Sequence, residues 1–327
     1  METLEQIAET TSEFVASFDG YDVTAKVGTS KIVVAILGMI VLFVAIIAVC
    51  ILIKMKHSGG GFCLLWGICV YLLFFYFAIS AIISLLFNYT PLKQCVDTST
   101  GLNLVTNKGI FVLVYTLVAG LIPMIGRIAT KYAFSYKNKP FAHNLAFGQG
   151  IACSFGIFSM STLLQMISSM MLINKEGMEK LVEGATRQEE VNAVLQTATT
   201  LVNLKVYNII ILVVLTVALI VYQIAITVPI YGILQKKVKG YWYAIIFGSY
   251  LAIEALQRMT DYGIINDIVQ FFGTIAVMAP VIVFCIKIYK ENYMVIPEDK
   301  DKTPPANPGD KVVTPHKIPK FENLSNL

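Results

Sequence analysis

Long runs of apolar residues, separated by short polar segments, are the dominant pattern along this chain of 327 residues. A helix that crosses the hydrocarbon core of a bilayer needs about 20 mostly apolar residues. The runs are too long and too uniformly apolar for the alternating pattern of a barrel strand. The sequence therefore predicts an all-α, polytopic helical membrane protein. The seven predicted spans cover residues 31–53, 62–87, 109–126, 145–173, 206–233, 241–257 and 268–289.

Basic residues are concentrated in alternate connecting segments, and this sets the predicted orientation of the spans. The segments after the first, third and fifth spans hold nine basic residues and no acid, whereas the first 30 residues hold six acids. Because cytoplasmic loops accumulate Lys and Arg, the N-terminus is predicted outside and the C-terminus inside. The nine basic residues are Lys54, Lys56, Arg127, Lys131, Lys137, Lys139, Lys236, Lys237 and Lys239.

Three segments are predicted to lie outside the bilayer. Residues 1–30 form an extracytoplasmic arm, in which the apolar positions of 3–18 predict a short amphipathic helix. Residues 176–202 predict an outer helical segment with a break at 184–186. That segment either caps the bundle or forms a lid or docking hairpin over an outward cavity. The tail, 291–327, is rich in proline and poor in large apolar residues, so it is predicted to be disordered and cytoplasmic.

The composition narrows the class of protein. Hydrophobic residues make up 56% of the chain and charged residues 14%, against about 25% charged in soluble domains. The mean hydropathy is +0.70. These values exclude a soluble globular domain, a disordered chain and a nucleic-acid binder, so no nucleic-acid partner is expected. The net charge of +4 is small and is arranged by membrane side.

The sequence contains no motif for a cofactor or a metal ion. Walker A, HExxH and GxGxxG patterns are absent. The three histidines, His57, His143 and His316, are not spaced as zinc ligands on a helix. The six cysteines lie mostly within or beside predicted spans and do not form a disulfide framework. No cofactor is therefore expected.

Small residues recur on the third and fourth predicted spans at spacings that favour close helix packing. Ala146, Gly150 and Ser154 recur every fourth residue and give the fourth span one smooth face. Asn208, Gln223 and Thr227 of the fifth span could face a cavity that this polar stretch lines. The candidate positions for helix packing or for lining a cavity are Gly120, Gly126, Gly148, Gln149, Gly150 and Ser154.

Two stretches of the same region resemble the motifs of a known family. They read AGLIPMIGR at 119–127 and FGQGIACSF at 147–155. They resemble the YhfC family of intramembrane metalloproteases, distant relatives of the CAAX-processing and bacteriocin-immunity membrane proteases. The motifs of that family read roughly Ala-Gly-x-x-Glu-Glu-x-x-Arg and Tyr-Gly-x-Gly-His-Gly-Gly-x-Glu. The matching residues are Ala119, Gly120, Gly126 and Arg127 in the first motif and Phe147, Gly148 and Gly150 in the second.

The departures from these motifs fall on the catalytic positions of the family. Pro123 and Met124 stand in place of the glutamate pair. Ile151 stands in place of the motif histidine, and Phe155 in place of the following glutamate. A glutamate base and metal-binding histidines are the groups that would activate water. The resemblance therefore implies a degenerate, pseudoprotease-like member of the family, with zinc only if displaced ligands still bind it.

Two charged residues near the predicted spans each have two interpretations. Arg127 either reaches into a cavity between the helices or extends to the inner lipid headgroups. Glu254 is an intramembrane acid, and such residues tend to be functional because a charge at the bilayer centre costs about 3 kcal/mol. Arg258 lies four residues later, so an ion pair near the outer interface is the alternative for Glu254.

These patterns predict a non-catalytic protein of a bacterial cell membrane that binds a membrane lipid or an integral-membrane partner such as a transporter subunit. One alternative is an active intramembrane metalloprotease with displaced ligands, for which Glu254, His143 and Asp267 are the spare candidates. A second alternative is a transporter or channel subunit, because prolines and polar residues interrupt several spans. The sequence leaves the oligomeric state open.

Overall fold

The computed structural model describes residue 18 and residues 20–56, 60–97, 104–183 and 188–293. Four predictions therefore lie outside the described residues. They are the amphipathic helix of the N-terminal arm, His57, the break at 184–186 and the tail after residue 293.

Helices make up almost all of the described part of the chain. The spans form because the apolar runs satisfy their backbone hydrogen bonds internally, as a lipid environment requires. The α-helices are α1 (Thr29–Lys56), α2 (Gly60–Val70), α3 (Ile79–Tyr89), α4 (Lys108–Ala133), α5 (Phe141–Glu176), α6 (Gln188–Asn203), α7 (Val206–Ala225), α8 (Thr227–Leu234), α9 (Trp242–Asp261) and α10 (Asp267–Asn292). A π-helix (Tyr71–Ala78), three short 3₁₀ turns (Pro91–Cys95, Tyr136–Asn138 and Glu179–Val182) and an antiparallel pair of two-residue strands, β1 (Val96–Asp97) and β2 (Leu104–Val105), complete the fold.

Within the described residues, six helical segments are long and apolar enough to cross a membrane, and the chain is an all-α, polytopic membrane protein. The sixth predicted window, 241–257, forms α9, a helix of 20 residues that carries Glu254, Arg258 and Asp261 and is not among the six. It packs between α4 and α10. The six segments are Thr29–Ile51, Gly61–Tyr89, Lys108–Ala133, Phe141–Glu176, Val206–Leu234 and Asp267–Asn292.

Helix α5 is the centre of the bundle. It packs along α1, α2 and α7, and α7 in turn packs against α10. Helix α6 buries Val191, Leu195 and Ala198 against a cluster that α1 and α5 contribute. These are the apolar positions that the helical spacing of the outer segment predicts. The arrangement favours bundle capping as the role of this segment.

Two interruptions divide the spans into shorter pieces. The second span, α2 to α3, contains the π-helix Tyr71–Ala78. The span Val206–Leu234 is broken by a turn at Ile226, which separates α7 from α8. Pro229 lies in the first turn of α8, where its missing N–H removes no intrahelical hydrogen bond. Interruptions of this kind are frequent at functional sites of membrane proteins.

Candidate functional site

Arg127 and Lys131 are fully buried on helix α4, and both are 0% exposed. The third predicted span ends at residue 126, which placed both residues in an inner loop; this was wrong, because α4 continues to Ala133. Residues four apart lie on the same helical face, so α4 presents both cations to the interior of the bundle. The interpretation of Arg127 as a side chain that extends to the lipid headgroups is also wrong, since it has no exposed surface.

The side-chain amide of Gln223, on helix α7, holds the guanidinium of Arg127 in place. The guanidinium Nη2 donates to Oε1 of Gln223 on α7 over 2.8 Å, and Gln223 is itself fully buried. The Nζ atom of Lys131 lies 5.5 Å from the ring centroid of Phe147 on α5. The two cations are therefore fixed by a neutral amide and an aromatic face.

The remaining donors of this centre have no partner among the described residues. They are Nε and Nη1 of Arg127 and Nζ of Lys131, whereas the amide of Gln223 also contacts the phenol of Tyr250. Neither cation takes part in any ion pair within the described part of the chain. Removing an ion from water costs several kcal/mol even after the surroundings relax. A guanidinium and an amine that are buried without a counter-charge are destabilising in their charged forms, and a bound negative charge would offset that cost.

The break between α7 and α8 lies directly beside the two cations. Thr227, the first residue of α8, donates through Oγ1 to the carbonyl oxygen of Gln223 over 3.0 Å. Asn144 of α5 donates through Nδ2 to the carbonyl oxygen of Thr227 over 3.1 Å. The Oδ1 atom of Asn144 is buried without a partner among the described residues. Side chains from α4, α5, α7 and α8 thus meet at one polar centre, which we call the cationic centre (Arg127, Lys131, Asn144, Gln223 and Thr227).

The cationic centre lies near the predicted inner end of the bundle. Arg127 and Lys131 are within the last two turns of α4, and the basic segment that follows it includes the exposed Lys137. The buried Tyr136 covers this end, and burial beside Cys63 raises the pKa of its phenol. Burial raises the pKa of Tyr293, which stacks on the ring of Phe141, to about 12. Both phenols are therefore neutral at physiological pH.

The four departures from the family motifs are packed into apolar surroundings. Met124 is fully buried in a cluster that contains Tyr222 and Tyr250. Ile151 is fully buried in a different cluster, which Cys63 and Tyr136 join. Pro123 is buried and Phe155 is half-buried against the ring of Tyr71. The structure thus places Met124 and Ile151 in separate hydrophobic clusters.

The small residues at the predicted packing positions of α4 and α5 lie where other helices approach closely. A Cβ atom built on Gly150 would lie 2.1 Å from the carbonyl oxygen of Leu64, and one on Gly148 would lie 2.1 Å from Oγ1 of Thr227. On α4, the corresponding atoms of Gly120 and Gly126 would meet the side chains of Leu251 and Phe74. Gln149 and Ser154 are both buried, and Ser154 donates to the carbonyl oxygen of Gly150 within its own helix over 3.0 Å.

Glu254 lies in an ion-pair network that explains its burial. Its carboxylate is 3.6 Å from a guanidinium nitrogen of Arg258, which also contacts Asp261 over 2.7 Å. The guanidinium carbon lies 4.4 Å from the ring centroid of Tyr115. This is the i,i+4 pair that the sequence offers as the alternative to a functional acid. Its charge is matched on the same helix, unlike that of the cationic centre.

The spare ligands of the protease alternative do not meet in the structure. Asp267 begins α10 and accepts a hydrogen bond from Nδ2 of Asn208 over 2.5 Å. Glu254 lies near the same end of the bundle, since α9 runs antiparallel to α4 and the ring of Tyr262 contacts that of Phe111. His143 lies in the first turn of α5, at the opposite end. Among the described residues, no three His, Cys, Asp or Glu side chains cluster as metal ligands would.

Sequence reasoning identified Arg127 and Gln223 but missed Lys131 and Asn144 as members of one centre. The signal for Lys131 is its spacing of four residues from Arg127 within a stretch that stays helical. No comparable signal marks Asn144, because its role depends on the position of the α8 backbone.

Comparisons of this chain with family models, curated proteins and solved structures find no match. The resemblance to the YhfC family therefore stays a prediction that rests on the two sequence motifs.

Proposed function

We propose that this protein is a non-catalytic, multi-pass protein of a bacterial cell membrane that binds a lipid or an integral-membrane partner such as a transporter subunit. The observation that carries the proposal is the cationic centre, in which Arg127 and Lys131 are fully buried without a contacting acid in the described part of the chain. Charge-assisted hydrogen bonds from such donors are well suited to hold an anionic group of another molecule.

The residues at the motif positions support a binding role over hydrolysis. Activation of water needs a general base or a metal ion with its ligands. Pro123, Met124, Ile151 and Phe155 offer neither. The side chains of the cationic centre are a guanidinium, an amine, two amides and a hydroxyl, which are suited to bind and orient an anionic ligand.

Purification from native membranes in a mild detergent tests the proposal. Wild type is compared with Lys131→Met, and Lys137→Met serves as the matched control because Lys137 is exposed in the same inner region. Quantitative mass spectrometry of co-purifying proteins and lipids should find a component at near-equal amount with wild type and Lys137→Met. The same component should be depleted from Lys131→Met. A wild-type protein that purifies alone, or that cleaves a peptide in a chelator-sensitive way, would contradict the proposal.

A transporter or channel subunit is the second candidate function, and the break at Ile226 favours it. Discontinuous helices in transporters expose backbone groups to a substrate within the membrane. Here the break lies between Gln223 and Thr227, both members of the cationic centre. Proteoliposomes under an imposed ion gradient should then take up a labelled anion, and Lys131→Met should abolish the uptake. Equal uptake by liposomes without protein would reject this candidate.

A further inference from the structure

The cationic centre combines burial, charge and unsatisfied donors in a way that no other part of the described structure does. The thiols of Cys50 and Cys153 lie 3.9 Å apart, but they are uncharged and call for no ligand of opposite charge. The outer crevice between α6 and α7 has a volume of about 390 Å³, but polar groups line it only in part and it is open to solvent. Within the described part of the chain, the cationic centre alone buries a guanidinium and an amine completely without a contacting acid.

We propose that Arg127, Lys131 and Gln223 form a binding site for a phosphate-type oxyanion, supplied either by the headgroup of an anionic phospholipid or by free phosphate. This inference rests on the proposed function and deepens it, because it names the chemistry of the bound component. Three nitrogen atoms of the two basic side chains have donor capacity for the ligand: Nε and Nη1 of Arg127 and Nζ of Lys131.

The chemistry of these donors favours an anion with several oxygen atoms. A phosphate group offers multiple acceptors to N–H groups that point from different side chains, and Arg and Lys are the side chains that bind phosphate most often. Gln223 keeps one guanidinium edge fixed through its Oε1 atom, and its amide also contacts the phenol of Tyr250. The oxyanion would therefore replace the missing counter-charge and satisfy the open donors together.

The unpaired Oδ1 atom of Asn144 and the hydroxyl of Thr227 do not oppose this assignment. Thr227 already donates to the carbonyl oxygen of Gln223, so its hydroxyl proton is used within the break. Asn144 is held by its amide nitrogen, and its free oxygen is an acceptor that a P–OH group of free phosphate or a glycerol hydroxyl of phosphatidylglycerol would satisfy. The centre thus matches a phosphate group in both donors and acceptors.

Access to the site requires a movement, because both cations are fully buried in this conformation. The turn at Ile226 separates the eight-residue helix α8 from α7 next to the cations. A displacement of α8 about this turn would open the centre towards the inner face, where the loop with Lys137 lies. Binding is therefore expected to be slower than to an open surface site.

The test measures thermal unfolding of the delipidated full-length protein in a neutral detergent. The probes are inorganic phosphate, chloride at matched ionic strength, and phosphatidylglycerol or phosphatidylcholine added to the detergent. The variants are Lys131→Met and the control Lys137→Met, which removes the same charge from an exposed position. A ligand that binds only the folded state raises the unfolding temperature in a concentration-dependent manner.

We expect phosphate or phosphatidylglycerol to stabilise wild type and Lys137→Met, and Lys131→Met to bind about tenfold or more weakly, as the loss of a charge-assisted hydrogen bond predicts. A response to phosphatidylglycerol without one to phosphate identifies the lipid headgroup as the source, and the reverse identifies the free ion. Equal stabilisation by chloride, or an unchanged response in Lys131→Met, overturns the inference.

The outcome is separable from that of the proposed function. If Lys131→Met folds poorly, Gln223→Glu provides a second variant, because it places a negative charge next to Arg127 and should compete with the oxyanion. A wild-type protein that keeps its co-purifying partner but shows no response to any anion refutes the oxyanion site alone. A wild-type protein that neither co-purifies with a partner nor responds to any anion refutes the proposed function as well.

Discussion

The close crossing of α2 and α5 makes Gly67 a sensitive test of the fold. A Cβ atom added to Gly67 would lie 2.2 Å from the carbonyl oxygen of Phe147, whereas ordinary van der Waals contacts begin at 3.4 Å. The obstacle is backbone, so no side-chain rotation relieves it. The substitution Gly67→Ala must therefore push the two helices apart by about 1 Å, and a gap of that size forfeits about a quarter to a half of the dispersion energy of each pair of atoms across it.

The expected cost of Gly67→Ala is about 1–3 kcal/mol, the usual range for overpacking a tight interior. The matched control is Gly248→Ala on α9, where a Cβ atom would have nothing within 4 Å. Both substitutions remove a glycine from a helix and gain about 1 kcal/mol of helix propensity. Their difference therefore isolates the steric cost of the crossing.

Thermal unfolding in detergent, followed by the loss of the monodisperse peak in size-exclusion chromatography, measures the difference. Gly67→Ala should unfold several degrees below wild type, and Gly248→Ala at or above it. Gly150→Ala should behave like Gly67→Ala, because its Cβ atom would lie 2.1 Å from the carbonyl oxygen of Leu64 in the same crossing. The double variant should cost less than the sum, since one separation of the helices serves both. Equal unfolding temperatures for Gly67→Ala and Gly248→Ala would refute the close crossing.

Three further predictions concern the outer network, the N-terminal segment and the orientation. Arg258→Gln should lower the unfolding temperature more than Glu254→Gln, because Arg258 contacts Glu254, Asp261 and the ring of Tyr115. Without Glu254, Arg258 still pairs with Asp261. Equal effects of the two substitutions would contradict the network. Asn174→Ala should lower the free energy of unfolding by about 1–3 kcal/mol and speed proteolysis before α1, because the Asn174 amide accepts from the N–H of Val27 and donates to its carbonyl oxygen. An unchanged rate of proteolysis would argue against this contact. Lys93→Cys should react with an impermeant maleimide in intact cells and Lys137→Cys only after permeabilisation; the reverse pattern would overturn the predicted orientation.

The positions of the apolar helices were predictable from the sequence because the length of an apolar run is a local property. The end of α4 was not predictable in this way. A hydropathy pattern interprets Arg127 as the start of a loop, since a charge inside the membrane is costly. That cost is reduced here by Gln223, which lies 96 residues away along the chain. A partner at such a separation has no signature in the local pattern.

The packing role of the small residues was predictable, but their partners were not. The spacing of Gly150 and Ser154 predicts a smooth face on α5, and that face does meet another backbone. The facing glycine, Gly67, lies on α2 and is not among the predicted packing positions. Gly120 and Gly126 meet side chains of α9 and of the π-helix. Small residues indicate that something approaches closely, whereas the topology decides which element it is.

The first motif and the cationic centre are connected by helix geometry. Pro123 stands four residues before Arg127, at the i,i+4 spacing where an acid and a base pair on one helical face. A glutamate in the family motif at this position would balance the charge of Arg127 from within the chain. Proline at this position carries no charge, so Arg127 has no acid one turn before it on α4.

The variant Pro123→Glu should therefore supply an internal counter-charge and abolish the response to phosphate or phosphatidylglycerol. The protein should keep its folded state, because an acid beside Arg127 offsets the burial of both charges, and replacement of proline restores a backbone donor to α4. Pro123→Gln is the control, since it makes the same backbone change without the charge and should still respond to the oxyanion. A Pro123→Glu protein that is stabilised by the anion as strongly as Pro123→Gln would show that the charge of Arg127 does not determine binding.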